Sequence, residues 1–213
     1  MIPGYLSVWL ALVITILFAT GWKPYIAPKL RSATAVVMTC AMAAAALYRF
    51  WWMPFPRYPF VNLHGAVLVL LAASLIALAF KDNKGHRGYL VLCIFMLAII
   101  WGSIRSLYTH DPVLYWLEPC WDAPLLCGLL CCIFTMNIRY QAGALLWCAV
   151  FGDAISAWLE NGAYTALIGS LNWWDSYSLA LSAACCSTLA IRCVRYAGAI
   201  VGRTWVGIRG GRE

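Results

Sequence analysis

Apolar residues fall along this chain in seven long runs, parted by short polar stretches. The runs cover residues 5–22, 33–52, 63–80, 89–104, 123–136, 142–159 and 175–191. A helix needs about 20 such residues to cross a hydrocarbon core of about 30 Å. The runs do not alternate apolar with polar positions, and lipid tolerates only helices or closed barrels. Strands are therefore not expected. The pattern predicts an all-α, polytopic membrane bundle of about seven transmembrane helices over residues 1–195, followed by a basic tail over residues 196–213. Each run is apolar nearly all round, so periodicity does not separate lipid-facing from bundle-facing positions.

The fifth run is the short one. Its 14 residues reach about 21 Å at about 1.5 Å per residue. It either thins the bilayer locally or pairs with the sixth run as a re-entrant unit; losing both leaves the two chain ends where seven spans would put them.

Composition agrees with a membrane protein. The chain is 64% hydrophobic and 11% charged, with a mean hydropathy of +0.79, whereas soluble domains carry about 25% charged residues. The net charge of +7 would point to nucleic acid in a soluble protein. In a membrane chain it reports basic cytoplasmic loops instead, so the expected partner is the lipid bilayer and not nucleic acid. Residues 1–6 carry no Lys or Arg, unlike the basic start of a secretory signal. An uncleaved first helix with its N-terminus outside is expected.

Charge placement orients the spans. With the N-terminus outside, twelve of the 15 Lys and Arg residues fall on the cytoplasmic side: Lys23, Lys29, Arg31, Lys81, Lys84, Arg87, Arg139, Arg192, Arg195, Arg203, Arg209 and Arg212. Arg49, Arg57 and Arg105 fall outside. The reverse orientation would break the positive-inside bias. The C-terminus is then cytoplasmic, and the stretch SLYTHDPVLYWLEPCWDAP (106–124), with Asp111, Glu118 and Asp122, becomes an outer loop. Trp51, Trp52, Trp101, Trp116, Trp121, Trp158, Trp173 and Trp174 lie near outer boundaries, where indole favours the headgroup level.

Candidate chemistry is sparse. Charge inside a span is costly and so marks function or a buried partner. Arg49 lies one turn inside the second run and Asp153 lies in the sixth, at similar depth; a pair between them would offset part of each desolvation cost. The ordinary reading of Arg49 is snorkelling to the headgroups. Asp153, Ser156 and Glu160 share a helix face, and Asp175, Ser178 and Ser182 repeat that spacing in the seventh run. With His64 at the start of the third run, these would line an outward-opening acidic pocket. The plainer alternative is interhelical hydrogen bonding, with Ser as mild glue. The ten cysteines read as small apolar residues, without metal-ligand spacing. No hydrolase, metalloprotease or nucleotide-binding motif is present. No Lys lies within a run, which removes Schiff-base chemistry of the retinal type. No cofactor is expected.

Two outer stretches carry a resemblance. DPV (111–113), following a Tyr-containing stretch, and IGSLNWWD (168–175), leading into the last run, resemble the YphA-like family of small multi-span membrane proteins of endospore-forming bacteria, as does the opening GYLSVWL…TGW. The resemblance implies a bacterial plasma membrane, with Asp111, Pro112, Gly169 and Asp175 as matched positions. It implies no catalytic role. The expected function is a non-enzymatic, uncharacterised membrane component that binds a protein or lipid partner. The alternative is a small transporter or sensor for a cation or proton, using the acidic pocket.

Overall fold

The computed structural model describes residues 2–21, 50–54, 60–79, 84–111, 116–118, 120–160 and 164–209. Among these described residues, six helices and three short strands follow in the order α1 (Tyr5–Ala19), β1 (Trp51–Trp52), β2 (Val61–His64), α2 (Gly65–Ala79), α3 (Lys84–His110), α4 (Asp122–Phe134), α5 (Ile138–Leu159), β3 (Ala166–Ile168) and α6 (Leu171–Arg209). Within α3, α5 and α6, the stretches Arg87–His110, Ile138–Leu159 and Leu171–Gly198 are long and apolar enough to cross a membrane. Helices α1, α2 and α4 are shorter apolar helices. The second run, apart from residues 50–52, lies outside the described residues.

Local chemistry sets the helix ends. Asn137 caps α5 by accepting from Arg139 N at 3.3 Å, which satisfies one of the donors a helix start leaves open. Helix α4 opens with Asp122, favourable at the positive end of the helix dipole, and carries Pro124 in its first turn, where a missing N–H costs nothing. It stops at Thr135, whose backbone is extended.

Helix α5 is the centre of the bundle. Gly102 of α3 and Gly152 of α5 bring those helices together. A Cβ on Gly102 would sit 2.7 Å from Gly152 O, and one on Gly152 would sit 2.6 Å from the Trp101 ring. The core around them holds Leu97, Trp101, Cys127, Leu145, Cys148, Ala149, Ala180 and Ala184. Helices α3 and α5 run parallel, with α4 antiparallel between them, because Arg105 and Ser106 near the end of α3 meet Asp153 and Glu160 near the end of α5. Large apolar side chains face outward on α1 (Val8, Trp9, Leu12, Ile16) and α3 (Leu92, Phe95, Met96, Ile99). Water would penalise such faces; hydrocarbon accepts them.

The expectation that no strands form is corrected. A three-stranded sheet, in the order β1-β2-β3, closes one end of the bundle. Strands β1 and β2 are antiparallel, with Trp51 opposite His64; β2 and β3 are parallel, with Leu63 opposite Ile168. Leu63 and His64 therefore belong to a strand rather than to the start of the third helix. The strands connect helices at the bundle end, where backbone groups must find partners outside any helix, and Val61, Leu63 and Ile168 are buried. Gly169 follows at φ +98°, and a Cβ there would meet the His64 and Val67 side chains. The last helix also starts earlier than its apolar run, at Leu171, and continues without a break to Arg209.

Candidate functional site

The end of the bundle capped by the sheet gathers the start of α1, the ends of α3 and α5, and the starts of α4 and α6. Its deepest polar group is Asp153, 2% exposed. Trp101 and Arg105 stand four residues apart on one face of α3 and both reach it. Asp153 Oδ1 accepts from Trp101 Nε1 at 2.9 Å and from Arg105 Nη1 at 2.6 Å. The guanidinium lies 5.5 Å from the Trp101 ring centroid, within range of a cation–π contribution. Arg105 Nη2 donates to Ser176 Oγ at 3.1 Å, which ties α6 to the pair. An ion pair this buried needs such extra hydrogen bonds to offset the loss of water. Gly152 is what lets the Trp101 ring lie against α5.

Above the pair lies a cavity of about 350 Å³. Arg105, Asp153, Ser156, Tyr164, Trp173 and Ser176 are among its lining. Trp173 is 3% exposed, and its Nε1 faces the same carboxylate without reaching hydrogen-bond geometry to it or to any other described group. Burial pushes the Tyr164 phenol up, and the Asp153 charge adds to this, so the hydroxyl stays protonated.

Three further acids at this end, Asp122, Glu160 and Asp175, each hold a piece of backbone or a neighbour. Asp122 accepts from Trp116 N at 2.8 Å, Leu117 N at 3.1 Å and the Tyr108 hydroxyl at 2.9 Å. Burial raises its carboxyl, but these donors more than offset that and hold it below its ordinary range. Glu160 accepts from Ser106 Oγ at 2.9 Å and lies 3.6 Å from His110 Nδ1. Asp175 turns to the start of the chain. Its Oδ2 accepts from Gly4 N and its Oδ1 from Ser7 N, both at 2.7 Å.

The polar residues singled out in the sequence thus separate. Asp153 and Ser156 line the cavity, whereas Asp175 borders a smaller neighbouring one of about 250 Å³ together with Glu118. Ser182 Oγ donates back to Ser178 O within α6. His64 accepts from Ala66 N at 3.3 Å and packs edge-on against Trp51. Asp111 is exposed at the end of α3. Arg49 and Pro112 lie outside the described residues. The partner that Asp153 meets is Arg105, which composition assigns to the outer loop because the fourth apolar run stops at Ile104. The spacing of Trp101 and Arg105 on one helix face was the available signal. For Trp173 and Ser176, two positions before and one after Asp175 on α6, the sequence offers none.

Comparison with curated proteins and with solved structures finds no match. The YphA-like integral membrane protein family model matches residues 4–206. By this match, which spans nearly the whole sequence, the chain belongs to the YphA-like integral membrane protein family.

Proposed function

We propose that this protein is a multi-pass component of the bacterial plasma membrane that acts by binding a protein or lipid partner, without catalysis or transport. Its seven spans place the N-terminus and the sheet-capped end outside, with the 196–213 tail in the cytoplasm. The observation that carries this reading is the engagement of the acids. Asp122, Asp153, Glu160 and Asp175 all hold internal donors, and Asp153, whose Oδ2 stays open to the cavity, is neutralised by Arg105, so each is already engaged within the fold. Below the cavity, the close approach of Gly102 and Gly152 leaves no gap between α3 and α5. Trp116 and Trp158 are exposed at the same end, which suits contact with headgroups or with a neighbouring membrane protein.

Reconstitution into liposomes tests this. Under imposed Na⁺, K⁺ and proton gradients, wild-type protein and Asp153→Asn are both expected to leak no faster than empty liposomes. Flux through the wild type that Asp153→Asn abolishes would replace this reading with a cation or proton transporter working through the cavity. Flux that survives the substitution would also overturn it, through a path that avoids Asp153.

A further inference from the structure

The cavity above the Arg105–Asp153 pair goes beyond that reading, because its two unmatched groups are complementary in chemistry. Both hydrogen bonds to Asp153 land on Oδ1, and no donor among the described residues reaches Oδ2. Trp173 Nε1 is buried, lines the same cavity and faces the Asp153 carboxylate without hydrogen-bond geometry to it or to any other described group. A carboxylate oxygen only accepts and an indole N–H only donates. A hydroxyl does both on one atom. It accepts from Trp173, whose buried N–H is costly to leave unmet, while donating to the open oxygen of Asp153.

Charge narrows the class. Arg105 and Asp153 neutralise each other, so an anion is drawn to one and repelled by the other, and a cation likewise. The rest of the wall is uncharged: Thr109, Ser156, Tyr164, Thr165 and Asn172 offer hydroxyl and amide groups, and the Trp173 ring gives an apolar face. A volume of about 350 Å³ lies at the low end of small-molecule pockets, about 300–1,000 Å³. We propose that this cavity is a binding site for a small, uncharged polyhydroxylated molecule, a polyol or a monosaccharide, with one hydroxyl seated between Trp173 Nε1 and Asp153 Oδ2.

Full-length protein in detergent would be titrated by calorimetry with glycerol, myo-inositol, glucose, acetate and glycine betaine. Binding in detergent depends neither on sidedness nor on transport, so a negative result here leaves the liposome experiment untouched. Saturable binding of at least one of the three polyhydroxylated probes is expected, with none for acetate or betaine. Trp173→Phe keeps an aromatic face, though a smaller one, and removes the N–H; it should weaken that binding about ten-fold, the scale of one buried hydrogen bond. Asn172→Leu, on the exposed rim and outside the core, should also weaken it. Trp9→Phe, exposed on α1 away from the cavity, should leave it unchanged. No saturable binding by any polyhydroxylated probe overturns the proposal, as does binding of acetate or betaine alone. Equal affinity in wild type and Trp173→Phe overturns it too, since the ligand would then sit elsewhere.

Discussion

At the scale of single residues, the acids of the capped end act first as acceptors. Asp122 shows the principle. The stretch before α4 leaves the N–H groups of Trp116 and Leu117 without a strand or helix partner, and one carboxylate takes both. Because these donors favour the charged form, its folded pKa lies below the unfolded value of about 3.9. A depressed carboxylate stabilises the fold above that unfolded value, and the contribution is lost as pH falls through the folded one. Asp122→Asn keeps one acceptor and loses the charge. It should lower stability at neutral pH by about 1–3 kcal/mol, the scale of hydrogen bonds to a charged group. Thermal unfolding in detergent at pH 7 and at pH 3 should show the gap between wild type and variant narrowing in acid, because the unfolded wild-type carboxylate takes up a proton before the folded one does. An unchanged gap would mean that the charge of Asp122 contributes nothing to the fold.

At the scale of elements, Asp175 acts as a cap supplied in trans. Helix α1 begins at Tyr5 with no acid in its first turn, and its first donors are met by a carboxylate from α6. The negative charge also favours the positive end of the α1 dipole. Gly4 makes this approach feasible, with φ +85° and Leu171 packed within 3.2 Å of where a Cβ would lie. A lost helix cap costs about 0.5–2 kcal/mol, and each 1.4 kcal/mol is a factor of about ten. Asp175→Ala should therefore speed amide exchange at Ser7 and the following turn by about two- to thirty-fold and leave the centre of α5 unchanged. Exchange that rises equally throughout would make Asp175 a general stabiliser and not an α1 cap.

The same element shows where sequence reading stops. The apolar runs locate the helices well, because lipid requires apolar side chains along the whole crossing: five of the seven runs overlap described helices closely, and a sixth, 175–191, lies within α6. The rotational phase of each helix is hidden for the same reason. With no polar face toward water, nothing in the pattern of α6 says that Asn172, Trp173 and Ser176 face Asp153 while Asp175 faces α1. Composition also ends the fourth run at Ile104, since Arg105 looks like a loop residue. In the fold α3 continues to His110, because a carboxylate on α5 waits for the guanidinium. Asp153 is legible in the sequence as a group in need of a partner, because a short carboxylate within an apolar run demands one; the identity of that partner, Arg105, needed the fold.

At the scale of the whole molecule, the arrangement of helix ends and the arrangement of charge agree. The start of α1, the ends of α3 and α5 and the starts of α4 and α6 meet at the capped end, through Asp175, Arg105 and Ser176. The other end carries the start of α3, the short α4–α5 connection and the extension of α6. That last helix, 39 residues long, would measure about 58 Å if straight, against a hydrocarbon core of about 30 Å. Part of it must leave the membrane, and the part beyond residue 191 carries Arg192, Arg195, Arg203 and Arg209. Arg192 already bonds Met136 O at the α4–α5 connection, so this basic section begins where α4 ends. Moving four guanidinium groups outward across lipid is disfavoured both by their transfer cost and by the positive-inside bias. Reporters that are active only in the cytoplasm or only outside it, fused in turn to each terminus, should place the N-terminus outside and the C-terminus inside. Moving Arg192 and Arg195 to Glu should weaken that preference without reversing it, because Lys81, Lys84 and Arg87 still favour the same side. Both termini on one face would require an even number of crossings, and the short helix α4, at 13 residues, would be the first element to lose its place as a span.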